Sequence, residues 1–412
     1  MEIWPDTIEI TLDGIAQGGE GVGRWNGRVV FAGGGLPGER VVVALSERRE
    51  AYARGEVTEI VAASPDRIAP RLPGADHMPW QHIAYPAQLR FKRQILAEQL
   101  AKIGGFDDVT VAETVAASRP WGYRNAARLH VQRGDIGYYA NSSRTIQPIT
   151  SDPLLLPVLD AALTALRASG FADADLDEVV LRASETDGYA VASLRGYGDL
   201  RSLAQRWMNA APALAGVTLP DDELGSTELT EDFDGLTFLM RPEAFFQINL
   251  ASAQVLLGLA RRELAQTPDQ RLLDLFCGVG TFALPLARGS AEVVGVEEFA
   301  GAVRDAEATA AANGIANTRF AVGPVERVLA EYTDAADAIL LDPPRRGCHP
   351  RALEAMVRLA PAKIVYISCH PGTLARDLKI LAASGYQIVQ STPVDLFPQT
   401  PHIESITTLV RV

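Results

Sequence analysis

The sequence predicts an α/β protein: a seven-stranded, doubly wound, Rossmann-like domain at the carboxyl end, an OB-like β-barrel at the amino end, and an α+β segment between them. Three observations carry this reading. From residue 271 onward, apolar β-branched runs alternate strictly with helical patterns, as in a parallel sheet covered on both faces. Residues 5–62 hold short alternating runs separated by glycine clusters, the pattern of a small barrel. The stretch 121–240 mixes strands and helices without regular alternation. The expected domains are therefore 1–62, 63–240 and 241–412.

In the barrel, strands are expected at 8–12, 28–31, 40–45 and 53–61, with turns at the glycines of 18–23 and 33–38. Residues 64–74, rich in Pro and Arg, read as a linker, and 86–104 as a helix ending at Gly104-Gly105. His77 and His82 precede this helix without a thiol or carboxylate pattern for a metal, so a surface or loop role is expected and no metal site. The middle segment shows strands at 127–132, 178–183, 190–194 and 236–240 and a helix near 157–169. A helix from 243 to 264 then leads into strands at 271–276, 292–296, 318–322, 338–341, 363–368, 387–389 and 404–412.

Composition narrows the class. Across 412 residues, 47% hydrophobic and 22% charged is ordinary for a globular protein with sizeable cores. The start lacks a basic region followed by an apolar one, and the apolar stretch 272–287 is interrupted by Asp274, so a soluble, cytoplasmic protein with no membrane partner is expected. Three cysteines, Cys277, Cys348 and Cys369, cannot build a disulfide framework. The net charge of −13 argues against global attraction to nucleic acid. Between Pro86 and Arg144, however, nine cations face five anions, a basic island able to track phosphates or simply to lie salt-bridged in solvent.

Chemistry concentrates at the predicted strand ends of the last domain, the edge where open α/β sheets hold their ligands. The run Lys363-Ile-Val-Tyr-Ile-Ser-Cys-His-Pro371 places Cys369 there as a candidate nucleophile, although a free Cys is commonly just a small buried hydrophobe. In Leu272-Leu-Asp-Leu-Phe-Cys-Gly-Val-Gly-Thr281, Gly278 and Gly280 let backbone approach a ligand at a helix start, and Glu297 is spaced to take ribose hydroxyls. The same turn satisfies a dinucleotide pattern, which leaves a nicotinamide oxidoreductase open at this point. Asp342-Pro-Pro-Arg-Arg-Gly347 locks a carboxylate at the sheet edge beside Cys369, a pair a dehydrogenase does not need. Glu404 opens the last strand, where a carboxylate is either functional or an edge charge.

Phe246-Gln-Ile-Asn249, Asp274-Leu-Phe-Cys-Gly-Val-Gly280, Asp342-Pro-Pro-Arg-Arg-Gly347, Ser368-Cys-His-Pro371 and Asp395-Leu-Phe-Pro-Gln-Thr-Pro-His-Ile-Glu404 stand in one order. Together they resemble the RNA uracil-5-methyltransferases that make 5-methyluridine in tRNA and 23S rRNA. The glycines of 18–23 with Leu36-Pro-Gly-Glu39 likewise resemble the TRAM domain. The resemblance implies a seven-stranded methyltransferase domain, S-adenosyl-L-methionine as cofactor, Cys369 adding to C6 of the uracil, and Glu404 removing the C5 proton. It implies cofactor contacts from Gln247, Phe276, Gly278, Gly280, Thr281, Glu297 and Asp342. RNA with a flipped-out target uridine is the implied partner, 23S rRNA before tRNA, with Arg124 and Arg128 as candidate RNA contacts and a monomer expected. Cys277 and Cys348 read as packing.

Three positions depart from the family pattern. Residues 74–81 and 150–153 lack the cysteines of an iron–sulfur site, so no cluster is predicted. His370 replaces the usual Asn after the nucleophile, and Pro324 stands where a polar contact to the adenine end is frequent. Arg345 after the Pro-Pro pair speaks against methylation of an exocyclic amine. A non-catalytic RNA-binding protein on a decayed enzyme fold is the alternative from another class.

Overall fold

A computed structural model describes residues 3–140, 144–243 and 245–412. Strands β1 (Thr7–Ile15), β2 (Gly21–Trp25), β3 (Arg28–Gly33), β4 (Arg40–Arg48) and β5 (Tyr52–Ala62) close into a barrel in the order β1-β2-β3-β5-β4. Strict alternation turns Ile8, Ile10 and Leu12 of β1 inward, where they meet Val30, Val41, Val43 and Ala53. Glu39, fully buried, receives two bonds from the Arg67 guanidinium at 2.6 and 2.8 Å. This pair ties the Pro- and Arg-rich segment back onto the barrel.

Helix α1 (Tyr85–Gln99) follows, and its last turn loosens over Leu100–Gly104 before Gly105 ends it. The central sheet is built from β6 (Ala126–Gln132), β7 (Asp135–Tyr139), β8 (Ile146–Pro148), β9 (Asp175–Ala183), β10 (Ala190–Tyr197), β11 (Leu214–Thr218) and β12 (Glu223–Gly225). Its order is β12-β11-β10-β9-β6-β7-β8, with helices α2 (Pro157–Ala168) and α3 (Leu200–Ala210) packed on it through Leu159, Leu163, Leu203 and Trp207. Strands β7, β8, β11 and β12 span only three to five residues each and were not legible in the sequence. Helix α3 was likewise not expected; Asp199 caps it by accepting from the Ser202 amide.

A hairpin, β13 (Leu229–Phe233) with β14 (Leu236–Met240), precedes the expected boundary at residue 240. Its Phe233 and Phe238 pack edge-on or tilted against each other and Phe246, inside the same core as the carboxyl-terminal domain. Helix α1 belongs with that domain too, lying on its last crossover helix and edge strand.

The carboxyl-terminal domain runs α4 (Leu250–Leu264), β15 (Arg271–Leu275), α5 (Ala283–Ala287), β16 (Glu292–Glu297), α6 (Ala300–Ala312), β17 (Thr318–Val322), α7 (Val325–Glu331) and β18 (Ala338–Leu341). It continues through α8 (Pro350–Leu359), β19 (Lys363–Ser368), α9 (Pro371–Ala383), β20 (Tyr386–Val394) and β21 (Glu404–Arg411). The seven strands lie in the order β17-β16-β15-β18-β19-β21-β20. All pairings from β17 to β19 are parallel, whereas β21 runs antiparallel between β19 and β20.

The helix expected from residue 243 begins only at Leu250; Ala244 lies outside the described residues. The cause is hydrogen bonding. The Gln247 and Ile248 carbonyls accept from the Asn125 side chain and amide, which removes them from a helical ladder. Asn249 is the cap, accepting from the Ser252 amide at 3.2 Å and donating to the Leu396 carbonyl at 3.0 Å. Asn249→Ala should therefore cost about 1–2 kcal/mol in urea unfolding. An unchanged midpoint would remove Asn249 as the cap.

Candidate active site

The antiparallel register pairs Ser368 of β19 with Ser405 of β21, so the next residues outward, Cys369 and Glu404, face each other across neighbouring strands. Backbones of such pairs stand about 5 Å apart. Cys369 also precedes α9, whose amino end favours a thiolate. Burial outweighs that: it lifts the thiol to about 11, with Glu404 and then Asp342 adding and Arg345 opposing. His370 is the α9 cap, its Nδ1 accepting from the Thr373 amide at 3.2 Å, and burial followed by Arg345 pushes its own titration down. Its neutral ring supports the helix start.

Glu404 is buried, and its Oε1 finds no hydrogen-bond partner among the described residues. Burial, and next the nearby Asp342, raise its carboxyl well above the ordinary range, while Arg345 lowers it. Asp342 opens partly toward the surface, yet the surrounding protein still raises it to about 7. Its amide donates to the Leu275 carbonyl at 3.2 Å, and the turn that follows is fastened to α9 by Thr373 Oγ1 on the Arg345 carbonyl and Arg376 on the Arg346 carbonyl. Arg345 is thereby held beside the Glu404 carboxyl and the Cys369 thiol, and its guanidinium reaches His402 at 3.4 Å.

Between β15 and α5 the chain makes the glycine turn. Phe276 adopts φ +64°, Gly278 φ +55° and Gly280 φ +81°, and the Phe276 and Cys277 amides both donate to the Val296 carbonyl. A Cβ at Gly278 would meet open space, whereas one at Gly280 would press on Leu284 at 3.0 Å. Glu297 accepts from the Gly278 amide at 3.1 Å and the Phe299 amide at 2.8 Å. Its carboxylate is thus fixed next to an open cradle, with Thr281 buried at the start of the following helix and Gln247 half-buried. Asp274 is buried with both carboxyl oxygens lacking a partner among the described residues, and burial and Asp342 raise it well above its usual range. An open backbone cradle, a fixed acceptor and an orphaned carboxyl suit a ligand carrying ribose hydroxyls and positive charge. Phe299, exposed beside Glu297, was overlooked in the sequence; an aromatic two residues past the acidic strand end was its signal.

Cys277 and Cys348 are buried, and burial raises both thiols, Cys348 to about 12. A cleft of about 1270 Å³ opens over Cys369, walled by barrel residues such as Gly19 and Arg54, by Arg124 and Tyr139 of the central segment, and by His402. Arg128 instead pairs with Glu178 at 2.5 Å. The basic island is largely ion-paired. Arg90, Lys92, Lys102, Arg119 and Arg128 are each paired to a carboxylate, and Lys92 is wholly buried. His77 and His82 lie half-buried in the loop before α1, on the cleft wall: His77 packs on Tyr138 beside Asp152, and burial lowers His82 to about 4. No group of three or more metal-ligating side chains occurs among the described residues, nor any helix long and apolar enough to cross a membrane.

The sheet order, the glycine turn and the fixed Glu297 carboxylate define an S-adenosylmethionine-dependent methyltransferase. The family profile tRNA (Uracil-5-)-methyltransferase matches residues 234–412, and the TRAM domain profile matches residues 6–58. A 23S rRNA (uracil(1939)-C(5))-methyltransferase of Edwardsiella ictaluri is 36% identical over 96% of this chain and 94% of its own. An RNA methyltransferase of Gloeobacter violaceus is 37% identical over 98% of this chain and 96% of its own. The crystal structure of Pyrococcus abyssi tRNA (uracil-54, C5)-methyltransferase in complex with S-adenosyl-L-homocysteine superposes with a TM-score of 0.77 at 25% identity, covering 98% of this chain and 100% of that one. The chain belongs to the RNA (uracil-5-)-methyltransferase family and carries an amino-terminal TRAM barrel.

The raised Asp342 carries a stability signature. An unfolded aspartate titrates near about 3.9, so from there up to about 7 the unfolded chain gains a charge that the folded chain resists, and stability falls as pH rises. Asp342→Asn should raise the unfolding free energy at pH 8 by on the order of 2 kcal/mol after allowing for partial exposure, with a matching rise in Tm, and leave both unchanged at pH 3.5. Equal gains at both values would mean that titration is not the cause.

Proposed function

We propose that this chain methylates C5 of a uridine in RNA through a covalent bond between Cys369 Sγ and C6 of the base, with 23S rRNA favoured over tRNA. The observation that carries the reading is that Cys369, which lines the cleft, faces Glu404 across β19 and β21. Ribosomal RNA is favoured because the rRNA-modifying relative is 36% identical across nearly the whole chain, against 25% for the tRNA-modifying one. Such an enzyme acts in the cytoplasm.

C5 of uracil is a weak nucleophile. The thiolate of Cys369 adds to C6, and the electron pair of the C5–C6 double bond moves toward C5 and the O4 carbonyl. The cofactor supplies an electrophilic methyl group, held by contacts from Gln247, Phe276, Gly278, Gly280, Thr281, Glu297 and Asp342. C5 takes the methyl. Glu404, ionised, then removes the C5 proton, and the electrons of that C–H bond restore the double bond and expel Cys369 as thiolate. Burial biases both acting groups toward their neutral forms, and Arg345 is the neighbouring cation that favours their anions. The target uridine must leave its stack to reach a strand-end thiol, and Arg124 on the cleft wall is the nearer of the two proposed RNA contacts.

RNA bearing 5-fluorouridine at the target tests covalency, since fluorine cannot leave C5 as a proton. The parent should form a denaturation-stable adduct, and Cys369→Ala should form none; a trapped, active Cys369→Ala variant sinks the nucleophile. With ordinary uridine, Glu404→Gln should accumulate the adduct and lose on the order of a hundredfold in turnover. Normal turnover would reduce Glu404 to a strand-edge charge.

The RNA itself is identified by mass spectrometry of a deletion strain. Loss of 5-methyluridine from 23S rRNA with tRNA unchanged is the expected result. Loss confined to tRNA would reverse the preference.

A further inference from the structure

The segment 395–403 joins β20 to β21 without forming a strand, yet it delivers the buried Glu404 carboxyl. Its hold comes from elsewhere in the chain. Lys92 of α1 donates to Asp395 Oδ1 at 2.6 Å and to the Phe397 carbonyl at 3.0 Å, and both charged side chains are fully shielded from solvent. One helical turn earlier, Gln88 Nε2 donates to Gln399 Oε1 and Gln88 Oε1 accepts from the Gln399 amide, each at 2.9 Å. The Tyr123 hydroxyl donates to the Pro398 carbonyl at 3.0 Å. Gln399 sits at φ +68°, a left-handed conformation that a non-glycine residue adopts only when its surroundings require it.

A buried ion pair is a poor source of net stability, because stripping water from both charges cancels most of their attraction. What it provides is direction. The ammonium satisfies one carboxylate oxygen and one carbonyl two residues further on, which fixes the course of the segment as it leaves β20. Nothing in the methyl-transfer chemistry uses either charge.

We propose that the Lys92–Asp395 pair is a strut that keeps Glu404 in register with Cys369, making Lys92 a positioning residue for removal of the C5 proton. The inference rests on the function proposed above. Lys92 touches neither the base nor the cofactor cradle; it acts through the segment 395–403. Its loss should therefore slow release of the methylated base while leaving the thiol free to add and C5 free to accept the methyl.

The test compares the parent, Lys92→Met and the double variant Lys92→Met/Asp395→Leu on two RNAs. With uridine RNA, both variants should accumulate the covalent adduct and lose at least tenfold in kcat, while KM for S-adenosylmethionine stays at the parental value. With 5-fluorouridine RNA, both should trap at the parental rate. Lys92→Met leaves Asp395 buried and unpaired, so if it fails to fold, the double variant makes the same comparison without either charge. Parental turnover in a folded variant overturns the strut, as does loss of trapping on 5-fluorouridine RNA. A double variant that cannot fold overturns it too, since the pair would then bear the fold rather than place a side chain. Failure of the parent itself to trap would count against the proposed chemistry instead.

Discussion

The antiparallel pairing of β21 with β19 is the constraint on which the rest of the site depends, because it brings the first residue of one strand against the residue just past the end of the other. A parallel β21 would have carried Glu404 to the opposite edge of the sheet, away from every ligand-facing group. Inserting the reversed strand between β19 and β20, rather than outside them, also covers both of its flanks. The carboxyl is therefore buried from the moment the sheet is complete. Its unusual protonation follows from the topology.

Burial shapes the electrostatics of the whole edge. Asp274, Asp342 and Glu404 are all held toward their neutral forms, and Cys369 is held as a thiol. Arg345 acts on two of these groups from an exposed turn. In a chain of net charge −13, this local shortage of positive charge gives a cationic cofactor a strong electrostatic reason to settle here. The same shortage favours the thiol form of Cys369.

Much of this was legible in the sequence where local pattern and tertiary outcome coincide. The inner parallel strands β16, β18 and β19 are apolar runs because both their faces are covered, and β15 to β19 could all be placed to within a residue. Cys369, Asp342 and Glu404 could be located because each sits where an apolar run stops or starts. What could not be read was anything decided by distant partners. Gln247 to Asn249 look helical, and only Asn125, on another strand's approach, takes their carbonyls. Lys92 looks like one more cation in a basic island, and only the fold shows that Asp395 absorbs it. Short strands such as β8 and β12, with three residues each, exist through their neighbours rather than through their own propensity.

The barrel is joined to the catalytic edge more tightly than a tethered module would be. The Trp80 indole donates to the Gly19 carbonyl in a barrel loop, while the Trp80 amide donates to the Gln399 carbonyl in the segment leading to Glu404. Gly19, at φ +90°, lies so close that a Cβ there would stand 2.6 Å from the indole nitrogen and 2.9 Å from Pro401. One tryptophan thus gears two parts of the molecule together. A barrel transplanted from a relative would bring its own loop against that indole, and the misfit would be felt first in the segment that leads to Glu404, so exchange of barrels within this architecture is limited by the packing of the sheet edge as much as by RNA.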